Sequence, residues 1–232
     1  MSTPNPFIYF DAGNVLLYKV RTEGENIMAD LGLPPDGYEP LITAVVATMG
    51  DSGQGYASMR TVEDEAEYLD RFHEVLLKHL GRDADPSTVE RLTKYRMVGD
   101  MALLPGVVET LQYLQNHKVR VGLLSNAPPS RRTDLRRLAI DQFFDPIIIS
   151  SEVGMVKPDP AVYELAEERA GVRPEDTVFV DDKEEYLDGA RAAGWGRLIQ
   201  VTSASQGPSR YEAIGSIAEL VGRLGNKPLP IA

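Results

Sequence analysis

The stretch FIYFDAGNVLL, Phe7 to Leu17, decides the fold. Its first four residues form an unbroken apolar run, which reads as a buried strand. The pair Gly13-Asn14 then breaks the chain, since both residue types accept turn conformations. Asp11 is left at the strand's carboxyl end. A bare carboxylate in that place is either a turn former or a reagent, and the rest of the chain has to decide which.

From Leu104 onward strand and helix patterns alternate. PGVVETLQYLQNH reads as a helix with Pro105 near its first turn. VRVGLLS, PIIIS, DTVFVDD and RLIQVT read as strands. RRTDLRRLAI, DPAVYELAEERAG, EEYLDGARAAG and SIAELVGRL read as the helices among and after them, ahead of a polar, Pro-rich tail. Strands separated by helices predict a parallel, doubly wound α/β sheet. Ligands of such sheets sit beyond the carboxyl ends of the strands.

Residues 20–99 have a different texture. NIMADLGL, EPLITAVVATM, VEDEAEYLDRFHEVLLKHL and STVERLTKYRMVGDMA carry helical periodicity and little strand signal. In the third, Ala66, Leu69, Phe72, Val75, Leu76 and Leu80 recur at three- and four-residue steps, the mark of an amphipathic helix. GDSGQGY, Gly50 to Tyr56, reads as an interhelical loop: no strand precedes its glycines and no lysine follows them.

Composition removes several classes of function. The 232 residues suffice for a real core, with 43% hydrophobic and 25% charged. A formal charge of −11 argues against a general nucleic-acid binder. It does not argue against an anionic substrate, because cations within a site set the local field. There are no cysteines, so disulfides, thiolate nucleophiles and Cys-ligated zinc are excluded. The three histidines, His73, His79 and His117, make no metal-ligand spacing. No apolar run approaches a membrane span, and MSTPNPF lacks the features of a signal peptide, so a cytoplasmic protein is expected.

Against that frame the strand ends stand out. The first ends at Asp11, VRVGLLS at Ser125-Asn126, and DTVFVDD at Asp181-Asp182, while Lys157 lies in the loop after PIIIS. Each has an ordinary reading alone: a turn aspartate, a Ser-Asn turn, an acidic helix start, a solvated lysine. A parallel sheet brings all of them to one edge. Three carboxylates there repel one another unless a divalent ion is present, and oxygen ligands suit magnesium. A hydroxyl, an amide and a lysine beside that ion would hold the oxygens of a phosphate.

At this point the chain resembles the haloacid dehalogenase superfamily, in its phosphatase branch with a helical cap inserted after the first strand. The matching stretches are FDAGNVLL, LLPGVVETL, LLSNAPP, FFDPIIISSEVGMVKPDPAVYELA and VFVDDKEEYLDGARAAG. The resemblance implies a Rossmann-like core over residues 1–17 and 100–232, a cap over 18–99, a magnesium ion and a phosphoaspartyl intermediate. It implies that Asp11 is the nucleophile and a metal ligand. Ser125 then binds phosphate with Asn126 beside it, Lys157 neutralises nucleophile and phosphoryl charge, and Asp182 binds the metal with Asp181 alongside. Position 13, which gives the metal a backbone carbonyl, is where the sequence departs from the pattern. Most phosphatases of the family place an aspartate there as general acid and base, and this chain has Gly13. The variant D-x-G-N-V resembles a sub-branch acting on sugar phosphates, including glucose 1-phosphate.

Two other readings share these residues. A 2-haloacid dehalogenase uses the same aspartate on carbon, but that branch replaces the paired acids of the last motif. A degenerate, non-catalytic member rests on Gly13 alone. The expected partner is a small phosphorylated metabolite, with no nucleic acid and no membrane; nothing in the sequence sets the oligomeric state. Tyr18, Arg21, Tyr56, Arg60 and Tyr68 are candidate cap contacts. Arg131, Arg132, Arg136 and Arg137 form a basic cluster that reads first as a solvated helix face, and Trp195 reads as packing.

Overall fold

The computed structural model of the protein describes residues 6–20, 23–34, 37–49, 59–92, 101–203 and 207–224. The Gly50–Tyr56 loop, the candidate contacts Arg21 and Tyr56, and the Pro-rich tail lie outside them. The apolar run forms β1 (Phe7–Phe10) as expected. It is followed by β4 (Val121–Ser125), β5 (Ile147–Ile149), β6 (Thr177–Asp181), β7 (Arg197–Val201) and β8 (Glu212–Ile214) in one six-stranded sheet of order β5-β4-β1-β6-β7-β8, every pairing parallel. The earliest strand lies inside the sheet, between β4 and β6, so the strand ends that flank it come from distant parts of the chain.

Both faces of the sheet are covered, as a parallel sheet requires. Ile8 and Phe10 point to one face, packed with Val107, Leu111 and Leu114 of α5 (Val107–Asn116) and Leu220 of α10 (Ala218–Leu224). Phe7 and Tyr9 point to the other, against Val162, Tyr163 and Ala166 of α8 (Pro160–Ala170) and Leu187 and Ala190 of α9 (Glu184–Ala192). Trp195 is packing, as its sequence context suggests: it stacks on Tyr9 with centroids 5.3 Å apart and donates its indole N–H to Glu167.

A two-stranded antiparallel ribbon, β2 (Leu17–Lys19) with β3 (Met101–Leu103), joins the two textures of the sequence. The helical pattern expected to run through Met101-Ala102 is therefore corrected: these residues pair with Tyr18 and Lys19 instead. Three-residue strands carry too little periodicity to compete with a neighbouring helical pattern, and cross-strand pairing decides their conformation. Between β2 and β3 lie α1 (Glu23–Asp30), α2 (Tyr38–Met49), α3 (Val62–His79) and α4 (Pro86–Leu92), which bury a cluster of their own around Ile27, Val45, Leu76, Leu77 and Leu92. Among the described residues no helix is long and apolar enough to cross a membrane.

Helix α3 follows its predicted stripe with two changes. It opens with a capping box in which Thr61 and Asp64 satisfy each other's backbone N–H groups. Leu69, Phe72, Leu76 and Leu77 are buried, but Ala66 is exposed, and the polar residues Glu65 and His73 occupy the buried face. His73 is completely buried, and neither ring nitrogen has a hydrogen-bond partner among the described residues.

Burial pulls the His73 imidazole down to about 4, because the site cannot solvate the imidazolium. The unfolded chain therefore binds a proton that the folded chain refuses, so this residue's contribution to stability is present above the ordinary histidine value and falls away as pH drops toward 4. Between pH 7 and 5 the wild type should lose about 2 kcal/mol more than a His73→Leu variant. Urea unfolding at the two pH values checks this; parallel losses in the two proteins would assign the acid sensitivity elsewhere.

Candidate active site

Strand alternation builds the site. Residues two apart share a face of the sheet. Asp11 follows Phe7 and Tyr9 onto the face of α8 and α9, and Asp181 follows Phe179 onto the same face. In register, Phe10 lies beside Val180, and the Asp11 N–H donates to the Val180 carbonyl at 2.9 Å, so the two carboxylates sit level on neighbouring strands. Lys157, from the loop between α7 (Ser150–Val153) and α8, enters between them. Its Nζ donates to Asp11 Oδ1 at 2.8 Å and to Asp181 Oδ2 at 2.6 Å.

The lysine side chain is fully buried, over the ring of Tyr186 at 4.6 Å and that of Phe179 at 5.2 Å. Burial works against its charge, but Asp11 and Asp181 outweigh burial and raise the ammonium's pKa above the usual lysine value. Burial also pushes the Asp181 carboxyl up, against the pull of Lys157. Both Asp181 oxygens are engaged, since Oδ1 accepts the Lys183 backbone N–H at 2.9 Å. Asp181 is thus built as the lysine's partner, beside Asp182.

Asn126 likewise has a specific task. Its amide grips the peptide of Lys157 from both sides, donating to the carbonyl at 2.9 Å and accepting from the N–H at 2.8 Å. It holds the loop that carries the ammonium. Ser125 ends β4, one strand from Asp11, and is 3% exposed. Two residues on, the Ala127 N–H donates to Ser150 Oγ at 3.0 Å.

Asp182 follows the last residue of β6, on the other side of Asp11, and is partly buried. Burial raises its carboxyl pKa, a hydrogen bond from Asn14 lowers it, and the nearby Asp11 charge raises it again. Asn14 Nδ2 donates to Asp182 Oδ2 at 2.9 Å, and Gln200 on β7 donates to the Asp182 carbonyl at 3.0 Å. Neither Asn14 nor Gln200 was flagged by sequence, although the Gly-Asn turn was visible. A Cβ built at Gly13 meets only Asp11 Oδ2, at 3.8 Å, and the backbone there is not left-handed.

The donors that remain open suit a hard cation. Asp11, Asp182 and the carbonyl of Gly13 offer oxygen atoms only, which fits magnesium and its habit of retaining waters. Among the described residues no group of three or more His, Cys, Asp and Glu side chains forms a ready-made metal cage. Two carboxylates and a carbonyl with water in the other positions is the arrangement the residues allow.

The remaining candidates fall outside this centre. Tyr18 is 42% exposed on β2, and Tyr68 stacks on Phe72 within the helical segment. Arg60 donates to the Glu152 carbonyl at 3.1 Å. The arginine cluster is not a solvated face throughout: Arg131 is buried near Asp134 and Arg132 forms a two-pronged pair with Glu152, while Arg136 and Arg137 are exposed, Arg137 donating to the Met101 carbonyl. Sequence reading also passed over Glu65. From the helical segment it accepts the backbone N–H of Ser130 at 2.9 Å and its hydroxyl at 2.7 Å, capping α6 (Ser130–Arg137), the helix that starts just after Ser125-Asn126.

A family model described as haloacid dehalogenase-like hydrolase matches residues 8–194, so the chain belongs to that family. It is 33% identical over 116 residues to a phosphorylated carbohydrates phosphatase of Thermotoga maritima, covering 49% of this chain and about half the relative's length, 53%. It is 30% identical over 186 residues to a glyceraldehyde 3-phosphate phosphatase of Methanothermobacter thermautotrophicus, covering 77% of this chain and 75% of that one. A solved 2-haloacid dehalogenase of Pseudomonas syringae superimposes with a TM-score of 0.69 at 20% identity, over 95% of this chain and 98% of that chain, which establishes the shared Rossmann-like fold.

The buried triad makes a firm stability prediction. Lys157→Met keeps the side-chain volume but strands two carboxylates, and should cost about 3–5 kcal/mol. Adding Asp181→Asn removes one stranded charge and should recover a large part of that loss. Urea midpoints measure both; a single variant as stable as wild type would mean that the ammonium does not hold the site together.

Proposed function

We propose that this member of the family is a magnesium-assisted hydrolase of small phosphomonoesters, working through a phosphoaspartyl intermediate. Residues 1–17 and 100–232 form its catalytic core and 18–99 a helical cap. Cytoplasmic location suits a cysteine-free enzyme of metabolites. The observation that carries the reading is the buried Lys157 ammonium shared by Asp11 and Asp181, with Ser125 and Asp182 on the adjoining strand ends.

In this reading Lys157 fixes Asp11 through Oδ1, so Oδ2 is the attacking oxygen. Oδ2 bonds to phosphorus as the bond from phosphorus to the substrate's alcohol oxygen breaks, and that oxygen takes a proton from solvent. Water then attacks the same phosphorus, the bond to Oδ2 breaks, Asp11 is regenerated and inorganic phosphate departs. A carboxylate is a modest nucleophile, so the rate depends on how well phosphoryl charge is held. Lys157 and the Ser125 hydroxyl hold two of the phosphoryl oxygens, preorganised and partly shielded from water. Asn126 acts one step back by fixing the lysine's peptide. Asp11, Asp182 and the Gly13 carbonyl would hold magnesium, which neutralises charge on the phosphate when bound.

The dehalogenase reading begins from the same Asp11. Asp182 counts against it. A displacement at carbon needs no second acid beside the nucleophile, and a half-buried carboxylate there is a cost that a cation offsets. The two relatives described above, at 33% and 30% identity, are named phosphatases, whereas the likeness to a dehalogenase at 20% is one of fold.

Asp11→Asn should fold normally and lose turnover by about a thousandfold or more, since an amide cannot form the acyl phosphate. Rapid acid quench with labelled substrate should trap phosphate on the wild type and none on the variant. Wild-type turnover by a well-folded Asp11→Asn would remove Asp11 from the nucleophile's role.

Gly13 generates a second prediction. Without an acid at position 13, kcat/KM should fall steeply as the leaving oxygen becomes more basic. Anomeric sugar phosphates, acyl phosphates and aryl phosphates should therefore outrun simple alkyl phosphates. The backbone at Gly13 accepts a side chain, so Gly13→Asp should speed alkyl phosphates by about a hundredfold, the lower range for a general acid. Small esters of similar shape and graded leaving-group pKa, at fixed magnesium, give the measurement. A flat wild-type dependence with chemistry rate-limiting would show that another group supplies the proton.

A further inference from the structure

We propose that Asn14 is a positioning residue, whose side-chain amide sets the orientation of the Asp182 carboxylate and so the strength with which that acid binds a divalent cation. This rests on the magnesium-assisted reading above, and three observations carry it. First, Asn14 has φ +56°, in the left-handed region that glycine occupies most easily, yet it is not glycine. Second, it is exposed, so packing does not explain its side chain. That side chain reaches across the site to Asp182 Oδ2 at 2.9 Å, linking the turn after β1 to the end of β6. Third, Asn14 and Asp182 both line a cavity of about 770 Å³, walled also by Val15, Thr202 and Ser216. The Asp182 carbonyl accepts from Gln200 at 3.0 Å, and its carboxylate accepts from the Asn14 amide at 2.9 Å.

The consequence is directional. With Oδ2 committed to the amide, Asp182 presents Oδ1 in a single orientation. Partners that orient a ligand in this way typically change metal affinity by about 10- to 100-fold. The ordinary alternative is that Asn14 is a turn residue, chosen because asparagine tolerates left-handed backbone and because its N–H donates to the Leu17 carbonyl at 2.8 Å. Under that alternative glycine would serve as well. Asn14→Gly is therefore the decisive variant, since it relaxes the backbone and deletes only the amide.

The test is calorimetric titration of magnesium into metal-stripped wild type, Asn14→Gly, Asp182→Ala and the double variant, with urea unfolding in EDTA alongside. The expected result is about tenfold weaker magnesium binding for Asn14→Gly, at the lower end of that range, with an unfolding midpoint at or above that of wild type. Added to Asp182→Ala, the same change should weaken binding no further, because the ligand that Asn14 orients is already gone. Unchanged affinity in Asn14→Gly while Asp182→Ala binds weakly would overturn the proposal and leave the metal reading standing. A further tenfold loss in the double variant would overturn it too, by showing that Asn14 acts elsewhere. Unchanged affinity in Asp182→Ala would remove the metal reading and this inference together.

Discussion

One buried ammonium organises the site. Lys157 is buried, and among the described residues the pair of carboxylates at 2.8 and 2.6 Å compensates its charge, backed by the rings of Tyr186 and Phe179. Taking these charges out of water is expensive unless the geometry is close and the remaining polar atoms are satisfied. The structure meets both conditions through distant parts of the chain. Strand register sets Asp11 level with Asp181, the Lys183 N–H takes the spare Asp181 oxygen, and Asn126 clamps the lysine's peptide. A shift of one residue in the β1–β6 register would turn one carboxylate to the opposite face and leave the ammonium half-paired.

The same economy ties the helical segment to the core. Glu65 is buried on α3 and spends both oxygens on Ser130, at the first turn of α6. A carboxylate suits a helix N-terminus, where several N–H groups lack intrahelical partners. The helix so capped begins four residues after Asn126. Glu65 therefore fixes the helical segment against the part of the core that continues from the strand end carrying Ser125, and Arg60 adds a contact to the Glu152 carbonyl nearby.

The sheet was legible because its signals are long and repeated. Strand runs of three to five mostly apolar residues alternate with helices of up to about three turns, and each pairing in the sheet is parallel as that alternation requires. Asp11, Lys157 and the two acids of β6 were legible for the same reason: strand ends are where such sheets hold ligands. What could not be read was short or two-bodied. The β2–β3 ribbon and β8 have three residues per strand, and the Lys157 peptide grip, the Glu65 cap and the Asn14–Asp182 bond each join residues at least 31 positions apart. Ala66 and Glu65 show the limit within a single helix. Adjacent residues at the edge of an apolar stripe exchanged places because a polar partner, Ser130, waits where the carboxylate arrives.

Positions 13 and 14 present complementary departures from local preference. Gly13 lacks a side chain where the backbone would accept one and where the nearest atom is an oxygen of Asp11. Asn14 carries a side chain where the backbone favours none. Conformation alone would place these two residues in the opposite order, so conformation did not choose them. The polar group stands one residue later than the acid of most related phosphatases, and that single step changes what it faces. At 13 it would lie beside the nucleophile, within reach of a departing oxygen. At 14 it lies on Asp182. On the proposed reading the turn has exchanged a proton donor for a brace on the second acid. Its chemistry then leans on held phosphoryl charge and on leaving groups that depart without help.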